Sequence, residues 1–252
     1  MSKNFELLDQ IGKAQEMIQG DREPASQPGS LPEVPTFTPA LEIDGIARDE
    51  VSKLVHRLFL LPGTEAARFV VFTGTEAGDG CTWMCAHAAE LLASQVASSV
   101  CIVDCNLRSP SLHHQFKVEN HYGLADALVG DGRIRQYARQ LSRQNLWLMS
   151  CGGSNEMSEH LLTSDRMRAR ISQLRAEFDY VLMDVAPLNA SNHGMILGGL
   201  ADGVVLVLKA HSSRRDSTRE TIQQLQASNV RVLGAVLNQR TFPIPERIYN
   251  RL

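Results

Sequence analysis

From Arg68 onward, short uninterrupted apolar runs alternate with longer stretches of helical period, and this alternation fixes the fold class. The runs are RFVVFTG, SSVCIVD, LWLMS, DYVLMD, GVVLVLKA and VRVLGAVLN. A strand that is apolar on both faces must be covered on both, so these are strands of a buried parallel sheet. Their separation by helical segments predicts a doubly wound, mostly parallel α/β sheet flanked by helices. With 252 residues, 43% of them apolar, the chain has material for one large core and a small appendage.

The beginning of the chain follows a different pattern. Phe5, Leu8, Ile11, Met17 and Ile18 recur at near-helical spacing and predict an amphipathic helix within residues 1–20. Pro24, Pro28, Pro32, Pro35 and Pro39 then break any period, which predicts an extended linker over 21–45. The main domain is expected over 46–240. It starts with a second amphipathic helix, 47–61, stopped by Pro62 and Gly63, and is followed by a Pro-interrupted tail, 241–252. A net charge of −3 argues against a dedicated nucleic-acid partner. No apolar run approaches the roughly 20 residues that span a bilayer, and MSKNFELLDQ lacks a signal-peptide core. The five cysteines are odd in number and form no C-x-x-C pair, so reduced thiols and a cytoplasmic location are expected.

In a sheet of this kind, ligands sit beyond the carboxyl ends of the strands. The first strand-to-helix turn runs from Thr73 to Thr82 as TGTEAGDGCT, to be compared with the phosphate-loop pattern G-x-x-x-x-G-K-[ST]. Gly80 and Thr82 fall in register, Thr75 takes the place of the first glycine, and Cys81 stands where the lysine belongs. Small residues let backbone N–H groups turn inward around phosphates, and the following helix adds its positive end. The Thr82 hydroxyl is placed to ligate Mg²⁺, but a cysteine cannot supply the mobile cation that stabilises transferring charge. A dinucleotide fingerprint G-x-G-x-x-G beginning at Gly78, with Asp104 on the ribose, is the competing pattern. It puts Trp83 where close helix–strand packing needs the third glycine.

Two carboxylates, Asp104 and Asp184, end later strands and are placed to hold a magnesium shell or orient water. Each alone could be a strand-end cap. Cys81, at a helix N-terminus, and Cys105, beside Asp104, raise a lesser redox possibility, since a helix N-terminus lowers a thiol's pKa. His113 and His114 lack a third ligand at suitable spacing, so a structural role is expected of them.

With these residues in place, the chain from Glu50 to Arg240 resembles the P-loop domain of bacterial tyrosine kinases that govern capsule and exopolysaccharide chain length. That family falls in the class of the MinD and ParA ATPases. The family's D-x-D-L-R-x-P-x-x-H-x-x-F stands here as DCNLRSPSLHHQF from Asp104 to Phe116, and its G-L-x-D-x-L-x-G as GLADALVG from Gly123 to Gly130. EHLL from Glu159, FDYVLMDVAP from Phe178, ADGVVLV from Ala201 and GAVLN ending at Asn238 complete the ordered match. The resemblance implies ATP or ADP with Mg²⁺, contacted by Gly78, Asp79, Gly80, Cys81, Thr82 and Trp83 of the loop and by Asn238 and Arg240. It implies Thr82, Asp104 and Asp184 on the metal, the two aspartates being catalytic. It also implies a membrane chain-length partner, self-association and a place at the inner face of the membrane.

The departures from the family pattern are specific. Cys81 replaces the lysine, Asn106 replaces the second acid of D-x-D, and Trp83 replaces a small residue. Only Tyr249 lies where the family carries a tyrosine-rich tail, and the segment from Glu50 to Arg57 matches its E-x-x-R-x-x-R element loosely. The expected function is therefore a degenerate, nucleotide-binding or regulatory relative acting in polysaccharide assembly. The alternatives are an active ATPase or kinase drawing a cation from Lys209, Arg214 or Arg215, and an interaction protein without ligand.

Overall fold

The structure, a computed structural model, describes residues 41, 43–61, 66–153, 160–213 and 215–239. The expected N-terminal helix, most of the linker, the tail, Glu159, Arg214 and Arg240 lie outside the described residues. The elements follow one another as α1 (Gly45–Val55), β1 (Phe69–Gly74), α2 (Cys81–Gln95), β2 (Val100–Asp104), α3 (Leu112–Gln115), α4 (Leu124–Val129), β3 (Arg139–Gln140), β4 (Leu146–Met149), α5 (Asp165–Glu177), β5 (Tyr180–Asp184), α6 (His193–Leu200), β6 (Gly203–Lys209), α7 (Arg215–Ala227) and β7 (Val232–Asn238).

The seven strands make one sheet in the order β3-β4-β2-β5-β1-β6-β7. Every pairing is parallel except that of β3 with β4. All six strands expected from the apolar runs are present. β3 left no such signal, because it is two exposed polar residues paired against Leu148 and Trp147.

Side chains alternate across each strand, so each apolar run feeds two cores. Phe69, Val71, Cys101, Val103, Val181 and Met183 face one core, which α4, α5 and α6 cover. Val70, Phe72, Ile102, Leu182, Val205 and Val207 face the other, covered by α1 and α2. The small side chains of α2, with Ala86, Ala88 and Ala89 fully buried, let that helix lie close on the sheet. The α1 segment is capped by Asp44, whose carboxylate accepts from the Ala47 N–H at 2.7 Å. It winds as an α-helix only to Val55; His56–Leu60 continues as a π-helical turn that buries Leu58 and Phe59.

Candidate functional site

The loop that joins β1 to α2 lies at the carboxyl edge of the sheet, between β5 and β6. Gly78 and Gly80 both have left-handed backbone, φ +88° and +82°, and so let the chain curl before entering the helix. The segment after β5 walls one side: Leu188 N–H donates to Gly74 O at 3.0 Å, Asn189 N–H to Thr75 O at 3.3 Å. The Thr73 hydroxyl donates to Ala186 O at 2.9 Å.

Asp79 stabilises the loop from within. One of its carboxylate oxygens accepts from Thr75 N–H, Thr75 Oγ1 and Glu76 N–H, each at 2.9 Å, and the residue is 4% exposed. Its side chain is thus committed to the loop. From the end of β7, the Asn238 amide donates to Asp79 O at 3.0 Å. A methyl group at Gly80 would stand 2.1 Å from that amide nitrogen, on backbone that L side chains avoid. Gly80→Ala is therefore expected to lower stability by about 1–3 kcal/mol and to break the Asn238 contact, readable as a lower urea midpoint.

Asp104 and Asp184 are register partners at the ends of β2 and β5, and both are buried. Asp104 is heavily engaged: Oδ1 accepts from Asn106 N–H at 3.1 Å, and Oδ2 from Ser111 N–H at 3.2 Å and Leu112 N–H at 3.0 Å. It organises the turn that follows β2, where the Asn106 side chain also accepts from Ser109 N–H. Asp184 is less engaged. The Thr82 and Cys81 side chains lie close enough to pull its pKa down against burial, while its Oδ2 is buried with no partner. Burial raises both acids, Asp104 to about 6 and Asp184, which also feels the Asp104 charge, to about 7. Among the described residues, none of the groups acting on either carboxylate is a cation.

The thiol expectation is corrected here. Cys81 does begin α2, but burial and the Asp184 charge push its thiol well above the ordinary value. Burial and the two aspartates do the same to Cys105. At these positions, carboxylate proximity and desolvation outweigh the helix end.

Trp83 stacks on His87 one turn along α2, rings 3.9 Å apart and 28° from parallel, with His87 Nδ1 2.8 Å from Trp83 O. His113 and His114 are also in ring contact, and burial and the neighbouring ring push His113 down. Among the described residues no group of three or more His, Cys, Asp or Glu could hold a metal ion by itself. Lys209 ends β6 opposite Asn238 and by alternation shares the α2 face with Val205 and Val207. Arg215 is exposed at the start of α7.

Sequence reasoning had not singled out Ser111, whose hydroxyl donates to Thr82 Oγ1 at 3.2 Å. Seven residues past Asp104, it carries no local signal of that contact. The donor set suits magnesium: hard oxygens on Thr82 and Asp184, one of them without a partner, with the remaining positions left to water and phosphate. Thr82, Asp184 and the loop backbone would hold such an ion with a nucleotide.

No family model matches this sequence. Over 169 residues it is 34% identical to EpsB of Ralstonia nicotianae, a protein assigned to the tyrosine-protein kinases, covering 67% of this chain and 22% of that protein. A stretch of equal length is 28% identical to the tyrosine-protein kinase YwqD of Bacillus subtilis, covering 67% of this chain and 71% of YwqD. The chain therefore spans about a fifth of EpsB and under three quarters of YwqD. The kinase domain of the Escherichia coli tyrosine kinase ETK superposes with a TM-score of 0.71 at 22% identity, over 86% of this chain and 88% of that domain. MinD of Pyrococcus horikoshii, complexed with Mg-ADP, superposes with a TM-score of 0.58 at 19% identity, over 73% and 76%. The homologues of this chain are bacterial tyrosine kinases, and its fold is that of the MinD/ParA-like P-loop class.

Proposed function

We propose that this chain binds a magnesium–nucleotide complex in a P-loop whose phosphoryl-transfer chemistry is weak or lost, and that it works as a regulatory partner in exopolysaccharide assembly. One observation carries the reading: a neutral thiol, Cys81, stands at the lysine position beside the buried Asp184, and among the described residues no cation is one of the groups acting on Asp184 or Asp104. The cradle itself is kept, with two left-handed glycines, a helix beginning at the loop, and the Thr82 side chain beside Asp184. Magnesium, when bound, would neutralise phosphate charge, but the positive group that follows charge onto the leaving oxygens is missing. Losing one such electrostatic group typically costs about 10²–10³ in turnover.

By likeness to its homologues, the partner is a membrane polysaccharide co-polymerase, and the chain works at the inner face of the membrane. Among the described residues no helix is long and apolar enough to cross a membrane.

Two measurements on the purified chain decide the reading. Saturable, Mg²⁺-dependent binding of a fluorescent nucleotide is expected, with ATP turnover at least about 100-fold below that of YwqD assayed alongside. Comparable turnover would sink it. Absence of saturable binding would leave an interaction protein without ligand.

A further inference from the structure

Ser111 stands at the N-cap position of α3, where a serine hydroxyl ordinarily accepts from the first free N–H groups of its own helix. Here it makes no such bond. The hydroxyl donates instead to Thr82 Oγ1 at 3.2 Å, on the first turn of α2 and 29 residues earlier in the chain. The backbone around it is held by two side chains. Asp104 Oδ2 accepts from Ser111 N–H at 3.2 Å and from Leu112 N–H at 3.0 Å, and its Oδ1 accepts from Asn106 N–H at 3.1 Å. Asn106 Oδ1 accepts from Ser109 N–H at 3.3 Å. Leu112 is fully buried in the core that α2 shares. The carboxylate and the amide that stands where a second acid was expected are thus both spent on shaping the segment that carries Ser111.

We infer that Ser111 is a positioning residue for the Thr82 hydroxyl and that Asp104 serves the pocket through Ser111, a role that rests on the magnesium–nucleotide function proposed above. A hydroxyl oxygen has two lone pairs and one proton. Ser111 takes one lone pair of Thr82 Oγ1, which leaves the other for a hard cation. Turning the Thr82 side chain to another rotamer breaks that bond, so the hydroxyl is held in one orientation before any ligand arrives. Without Ser111, the same side chain would have to be fixed at the moment of binding, which lowers affinity. Among the described residues Ser111 bonds to Thr82, Asp104 and His114, and to no group of the loop that precedes α2. Its effect therefore falls on the ion and not on the backbone cradle for phosphate.

The test uses the whole chain and a fluorescent ADP analogue, titrated in excess EDTA and, separately, with Mg²⁺ at fixed nucleotide. Ser111→Ala is expected to raise the Mg²⁺ midpoint about 3- to 10-fold, the worth of one neutral hydrogen bond. The weaker affinity left in EDTA should stay within about twofold of the natural protein, less than such a bond is worth. Ser111→Thr, which keeps the hydroxyl, should hold the natural midpoint. A loss in Ser111→Ala that is equal with and without Mg²⁺ overturns the role. So does a shift shared by Ser111→Ala and Ser111→Thr, since shape and not the hydroxyl would then be responsible. An unchanged midpoint in Ser111→Ala, with the natural chain binding as expected, rejects the role alone, whereas a natural chain that binds no nucleotide rejects the proposed function and this role with it. If Ser111→Ala does not fold, Ser111→Cys decides: its thiol is close in shape but a weak donor, so the same shift is expected, and a natural midpoint overturns the role.

Discussion

Cys81→Lys is expected to tighten binding of a magnesium–nucleotide complex by on the order of 10- to 100-fold, about 1.5–3 kcal/mol, the usual worth of a hydrogen bond to a charged group. The lysine would enter a pocket whose neighbouring acids are Asp184 and Asp79, with no other cation among the described residues acting on the two strand-end acids. Its first partner without ligand is Asp184, the acid that most strongly acts on position 81. When phosphate arrives, the flexible stem lets the ammonium follow it. Titration with fluorescent nucleotide, the natural protein beside the variant, measures the gain. An unchanged affinity would mean that the loop backbone no longer forms a phosphate cradle.

Asp184→Asn is expected to stabilise the metal-free protein at about pH 8 by on the order of 2–4 kcal/mol, a rise of roughly 5–10 °C in Tm. The sign follows from the direction of the shifts. Burial raises Asp104 to about 6 and Asp184 to about 7 from an ordinary 3.8, so the folded state holds protons that the unfolded chain releases. That contribution is whole below pH about 4 and is lost as pH rises through 6 and 7. Asp179 and Asp202 act in the opposite sense. The Ser99 hydroxyl and N–H lower Asp179, and the Arg68 and Phe69 N–H groups with Arg175 lower Asp202 against the effect of burial. Their stabilisation is present above pH about 4 and disappears in stronger acid. Stability of the natural, metal-free chain should therefore peak in mild acid. Thermal melts of both proteins from about pH 4.5 to 8.5 would show the advantage of the variant vanishing at the acid end, where the wild-type carboxyl is already protonated. A gain that stays constant across the range would show that Asp184 is not held protonated by its surroundings.

The fold was legible because its strands advertise themselves. Phe69–Gly74 and Gly203–Lys209 are apolar on successive residues, and only a sheet covered on both faces buries such runs. Thr82, Asp104 and Asp184 could be brought together on paper because strand ends in a parallel sheet share one edge. What lay beyond reading was the orientation of side chains within that edge. Asp79 sits in the middle of a phosphate-loop pattern, yet its carboxylate turns under the loop and caps Thr75 and Glu76. Asp104 combines both meanings that its position allowed, since its oxygens brace the 106–112 turn while its charge raises Asp184. The acidity of Cys81 went the other way from the local rule. Burial and the charge of Asp184, a residue distant in sequence, outweigh its place at a helix start. Trp83, read as an intruder in the first helical turn, has a local partner in His87 one turn on.

The amide of Asn238 ties the end of β7 to Asp79 of the loop, 159 positions earlier in the chain. A contact that long cannot form until nearly the whole domain has been made, and β1 likewise waits for β5 and β6 to flank it. During synthesis the amino-terminal half leaves the ribosome with its central strand unflanked and its phosphate loop without the last support. The pocket is thus among the final parts of the molecule to be completed, and truncation before β7 would remove the keystone of a site whose phosphate loop and two strand-end acids lie upstream.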